Sequence, residues 1–125
     1  MIHLPRAVRI FIHREPVDMR KSFDTLAGIV RLAYGEDLLH GGVFAFVGKR
    51  RKHAKVIWWD GTGVVLLSKR LSKGHFAAPW QRPGSGPLRW TTSELALFLE
   101  GSELVGRVEL SPPPWRPEEQ RLEFR

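Results

Sequence analysis

The chain has 125 residues, no cysteine, and 20 Lys+Arg against 13 Asp+Glu, for a formal net charge of +7. That length suits one domain with a real core. The absence of cysteine excludes disulfides, thiolate-held zinc and thiol catalysis, and no apolar run approaches the length of a membrane span. Arg6 to His13 alternates, with Val8, Ile10 and Ile12 on one side and Arg9, Phe11 and His13 on the other, which predicts a strand with one buried face. Glu15-Pro16 breaks it. Asp18 is placed to cap a helix that starts at Met19, along which Met19, Phe23, Leu26, Val30 and Ala33 form one apolar stripe. Arg20 and Asp24 are spaced for an i,i+4 pair, and Gly35 for a C-terminal stop.

Apolar runs follow at Val43 to Val47, Ala54 to Trp59 and Val64 to Ser68. Gly48 to His53 joins the first two, and Asp60-Gly61-Thr62-Gly63 joins the last two. Connections this short require antiparallel neighbours. Residues apolar on both faces predict central strands covered on both sides, at least in part. Pro79 to Pro87 reads as a loop and Leu88-Arg89-Trp90 as a short strand. Thr91 to Glu94 has the spacing of a capping box, opening a helix through Glu100 that buries Leu95, Phe98 and Leu99 and ends at Gly101. Pro112 to Pro117 and the charged end predict an extended tail. The expected organisation is a single α+β domain over residues 1–110 with a Pro-rich tail over 111–125. Its expected core is an antiparallel β-meander with one amphipathic helix on a face, the first strand at its edge and a second short helix near the C-terminus.

The charge is local. Residues 49 to 75 hold Lys49, Arg50, Arg51, Lys52, Lys55, Lys69, Arg70 and Lys73 against the single acid Asp60, so this segment carries the whole net charge of +7. A block of one sign repels itself unless an anion meets it. In a hairpin ladder Lys69 and Arg70 finish the third strand beside the Lys49–Lys52 tip, so two separate cationic stretches converge on one edge of the sheet. Cations beside the aromatic pair Trp58 and Trp59 suit nucleic acid. Arg50, Arg51 and Arg70 are candidates for base or phosphate contact. Lys49, Lys52, Lys55, Lys69 and Lys73 are candidates for phosphate alone. Arg20, Lys21 and Trp59 are candidate supporting contacts. Because Trp58 and Trp59 are adjacent in a strand, they project to opposite faces, and core is the simpler role for both.

No catalytic residue is expected. Asp18 reads as a cap, Asp60 as a turn former, and Asp24 sits one turn from Arg20, so structural roles account for all three. The five histidines show no zinc-helix spacing, so no metal is expected either. No cofactor, small-molecule substrate or membrane partner is expected. The opening residues Met1 to Arg6 lack the apolar core of a signal peptide, and a cytoplasmic protein is expected.

Several blocks carry a resemblance. They are Pro16-Val17-Asp18-Met19-Arg20-Lys21-Ser22-Phe23-Asp24, Gly42 to Phe46, Trp58-Trp59-Asp60-Gly61-Thr62-Gly63, Lys69-Arg70-Leu71, Gly74-His75-Phe76 and Pro79-Trp80. They continue through Glu94-Leu95-Ala96 and Leu99-Glu100-Gly101 to Trp115-Arg116-Pro117. Their order resembles the short accessory protein, TnpB or second open reading frame, of bacterial insertion sequence 66 elements. The resemblance implies a role in transposition beside a separate, larger transposase; it supplies no biochemical activity. The chain departs from it at Val47, in the very basic Lys49 to Lys52 tip and over Ser102 to Gly106. The functional expectation is a non-catalytic accessory protein that binds DNA, at element ends or target, through the basic hairpin edge. The alternative is an adaptor joining the transposase and other element-encoded proteins without touching DNA.

Overall fold

Strand alternation sorts the apolar side chains onto two faces of one sheet, and each face has its own cover. The computed structural model describes residues 9–35 and 38–101. In chain order it contains β1 (Ile10–Ile12), α1 (Phe23–Tyr34), β2 (Val43–Val47), β3 (His53–Trp59), β4 (Val64–Arg70), β5 (Leu88–Trp90) and α2 (Thr92–Leu99). Single turns of 3-10 helix occur at Leu38–His40 and Pro79–Gln81. The strand order is β4-β3-β2-β1-β5. The β2-β3-β4 meander is antiparallel as expected, with Ala45 opposite Val56 and Val56 opposite Leu67. β1 joins β2 in parallel, Phe11 opposite Phe44, and β5 closes antiparallel on the far side of β1.

The result is a single small α+β domain with an open, mostly antiparallel sheet. One face gathers Phe11, Phe44, Phe46 and Ile57 under Leu26 and Val30 of α1. The other gathers Ile10, Ile12, Val43, Ala45, Val56 and Trp58 under Phe76, Leu95 and Phe98. The second helix therefore covers the face that α1 leaves open.

Several expectations need correction. Over β1 the sequence alternation suggested one buried face, yet Ile10, Phe11 and Ile12 are all buried. β1 is not an edge, because β5 pairs beside it, and the rings of Tyr34 and Phe44 cover Phe11 at 5.4 Å. Val8 and Arg6 lie outside the described residues. The helix begins at Phe23, not Met19, and its N-cap Ser22 makes no side-chain capping bond. Asp18 turns to Arg20 instead: Oδ1 accepts from the Arg20 amide at 2.9 Å, and Oδ2 accepts from its guanidinium at 2.8 Å. Val17 N–H donates to Val47 O at 3.0 Å, which ties the chain to the end of β2 and delays the first helical turn.

Arg20 thus pairs with Asp18, where the i,i+4 spacing had suggested Asp24. Of the expected stripe, Leu26 and Val30 are buried, whereas Phe23 stays 46% exposed. Gly35 does end α1, in the left-handed region at φ 61°. β4 is an edge strand with a partly exposed pattern, so full cover holds for β2 and, except at its two ends, for β3. The capping box at α2 is complete: Glu94 N–H donates to Thr91 Oγ1 at 3.2 Å and Thr91 N–H to Glu94 Oε1 at 3.0 Å. The expected tail over 111–125 and the boundary at 110 lie outside the described residues.

Candidate nucleic-acid interface

The parallel β1–β2 pair decides what meets at one end of the sheet. The C-terminal ends of β1, β2 and β4 and the N-terminal ends of β3 and β5 all lie there, because every other pair is antiparallel. The Gly48–Lys52 turn, Arg70 and the loop after β1 are therefore neighbours. Arg70 stands opposite His53 and Lys69 opposite Ala54. Beyond the ladder, Leu71 N–H donates to Lys52 O at 2.9 Å and Phe76 N–H to Arg51 O at 2.7 Å, so the segment after β4 wraps the tip. The two basic stretches do converge.

Their cations are not equivalent. Lys55 faces inward at 8% exposure, and its ammonium donates to Lys21 O at 2.6 Å. It ties β3 to the segment entering α1 and stays off the surface. Lys52 Nζ donates to Gly74 O at 2.7 Å, and Arg51 Nη1 reaches Phe76 O at 3.4 Å. Arg51 also holds the turn in the left-handed region at φ 60°, a sparsely populated conformation for a side-chain-bearing residue. The side chains of Lys49, Arg50, Lys69, Arg70 and Lys73 have no hydrogen-bond or ion-pair partner among the described residues. Trp58 is core at 4% exposure. Trp59 packs on the α1 side at the other end of β3, about 20 Å of strand away from His53, so it does not share this end.

The loop between β1 and α1 forms a wall that sequence reasoning missed. Pro16, Val17 and Met19 line an open cleft of about 910 Å³ together with Gly48, Lys49, Arg50, His53 and Arg70. Met19 lies so close to Gly48 that a Cβ there would meet Met19 Cγ at 2.7 Å, so glycine at 48 lets the loop approach the tip. A glycine leading a basic turn was the available sequence signal. Arg20 lines the cleft too, its carboxylate partner in place; the guanidinium beside Asp18 holds that carboxyl well below the usual range. Asp18 is the one acid among the cleft's lining residues.

His53 stands against Ser68 Oγ at 2.5 Å. Burial, with Arg70 and Lys55 adding like charge, lowers its pKa, which favours a neutral ring at pH 7. Further along the same end Arg14 is tied down, donating to Gly86 O at 2.6 Å and Arg82 O at 3.0 Å. Asp60, at the opposite end, accepts through Oδ1 from the amides of Thr62 and Gly63, both at 2.9 Å, as a turn former should. No cluster of three or more His, Cys, Asp or Glu able to hold a metal occurs among the described residues, and no helix there is long and apolar enough to cross a membrane.

A profile described as IS66 Orf2 like protein, TnpB_IS66, matches residues 8–108. Uncharacterized protein y4jC of Sinorhizobium fredii (strain NBRC 101917 / NGR234) is 33% identical over 112 residues, covering 90% of this chain and 93% of its own. Uncharacterized protein y4hO of the same strain is 34% identical over 110 residues, covering 88% and 90%. No solved structure matches. With a profile spanning most of its length and two relatives aligned nearly end to end, the chain belongs to the IS66 Orf2-like family, whose role in transposition is an accessory one.

Proposed function

We propose that the protein is a non-catalytic accessory factor that binds DNA, at element ends or target, through the basic end of its sheet. The observation that carries this reading is the set of cations without a partner among the described residues, drawn from two sequence-distant stretches: Lys49, Arg50 and Arg70 line a cleft whose only acid is already paired, and Lys69 and Lys73 lie at the same end of the sheet. Such a surface repels itself in isolation and is relieved by phosphates, whose bound counterions it releases. Arg50 and Arg70 suit base or phosphate contact and the lysines suit phosphate. Arg51 and Lys52 support the turn and can add to its field. A cytoplasmic site of action, beside the chromosome and the transposase, follows from this reading.

The test is a gel shift at low salt with an element end, a scrambled duplex and a single strand. Binding that disappears when Lys49 to Lys52, Lys69 and Arg70 are replaced together by Ala, with the far-ultraviolet circular dichroism unchanged, supports the proposal. Absence of any shift refutes it. The adaptor reading has one observation of its own: Leu32, a large apolar side chain on α1, is 91% exposed. An adaptor would retain the transposase in a pull-down at high salt and ignore DNA.

A further inference from the structure

The cleft has a composition that a rigid duplex does not match. Its floor is hydrocarbon from the buried Val17 and the half-buried Met19, with Pro16 exposed at the rim, and its lips carry the exposed Lys49, Arg50 and Arg70. A duplex presents phosphates outward and keeps its bases stacked inside. It can meet the lips, but it leaves the apolar floor against water. An unpaired nucleotide puts both halves to use, its phosphate on the cations and its base on the hydrocarbon. Guanidinium planes such as those of Arg50 and Arg70 stack on splayed bases. The volume of about 910 Å³ lies within the range of about 300–1,000 Å³ usual for sites that enclose organic ligands.

We propose that this cleft binds unpaired nucleotides, so that the protein prefers single-stranded or frayed DNA to blunt duplex. The inference rests on the DNA-binding reading of the same end and names the form of DNA that end takes. Single-stranded segments arise whenever element ends are opened, so the preference would direct the protein to DNA already being processed.

The natural chain has no cysteine, which makes a selective block possible. Pro16 is exposed at the lip of the cleft, and Pro16→Cys followed by a bulky neutral maleimide fills the space without changing charge. Fluorescence anisotropy is read with a labelled mixed-sequence 20-mer, alone and as blunt duplex, in low salt. The expected result is single-strand binding at least tenfold tighter than duplex, with the label removing that preference while duplex binding stays within twofold. Duplex bound as tightly as single strand overturns the inference and leaves the DNA-binding reading standing. Loss of binding to both forms in the unmodified protein overturns both. A second measurement needs no variant: 4-thiothymidine in the single strand should crosslink the unmodified protein within residues 16–20 or 48–53, and crosslinks confined to other segments overturn the assignment.

Discussion

Replacing Lys55 by methionine separates the structural charge from the binding charge in the basic segment. Of its eight cations, three have internal acceptors: Lys55 on Lys21 O, Lys52 on Gly74 O and Arg51 on Phe76 O. Five remain for phosphate. At about −0.9 per contact on duplex DNA, five contacts give a log–log salt slope of about −4.5, and eight would give about −7. Between 50 and 200 mM salt that is a loss of about 500-fold against about 20,000-fold. On a single strand, at about −0.7 per contact, the slopes are about −3.5 and −5.6. Lys55→Met should leave the slope unchanged, because its ammonium is spent inside. It should instead lower stability by about 1–2 kcal/mol, since a charged hydrogen bond is worth about 1.5–3 kcal/mol and methionine recovers part of this in relieved desolvation. Lys49→Ala/Arg50→Ala should do the reverse, making the duplex slope shallower by about 1.8 with stability within about 0.5 kcal/mol. The assays are anisotropy across a salt series and urea denaturation. A Lys55→Met variant whose slope falls by about one contact, at unchanged stability, would refute the division.

Asp18→Asn should strengthen DNA binding, because it frees the Arg20 guanidinium at the cleft; the duplex slope should steepen by about 0.9 in the same salt series. Thr91→Ala removes one side of the capping box and should cost about 1 kcal/mol in urea denaturation followed by tryptophan fluorescence, with DNA binding unchanged. Tyr34 is the sole tyrosine, so absorbance at 295 nm against pH reads it alone; burial pushes its pKa up to about 12, and the titration midpoint should lie there instead of near the ordinary value of about 10. The folded state then keeps a proton that the unfolded chain releases, so this contribution to stability is full below pH of about 10 and is lost as pH rises towards 12.

Local rules decided what was legible in the sequence. The meander follows from connections too short for any other pairing, and both registers set Val56 to Trp58 against apolar residues, Val43 to Ala45 on one side and Val65 to Leu67 on the other. The capping box at Thr91 was legible because all its partners lie within four residues. The start of α1 was not, because the competition for Asp18 was settled at longer range: Val17 is held by Val47, and the Lys21 carbonyl is held by Lys55 from 34 residues away. The parallel placement of β1 and its shelter by β5 were equally hidden, since three-residue strands carry little register information of their own. Parity offered one missed clue. Lys55 shares a face with Ile57 and Trp59 in a run that is apolar on both faces, so alternation left it no solvent side to point to.

The cleft depends on that hidden topology. Had β1 run antiparallel to β2, its C-terminal end would have emerged at the Asp60 turn, and Pro16, Val17 and Met19 would lie a strand's length from the basic tip. Parallel pairing instead delivers an apolar loop to the one end where cations accumulate, and Gly48 leaves room for Met19 to close against it. The internal use of Lys55 belongs to the same arrangement. By holding the Lys21 carbonyl it fixes the far end of the Pro16–Lys21 loop, as Val17 on Val47 fixes the near end. One cation of the basic segment thus positions the wall that the others face. The Lys55→Met variant therefore carries a further consequence: a loosened wall should weaken single-strand binding while duplex binding to the lips is kept. A variant that weakened both forms equally would mean the loop has no separate part in binding.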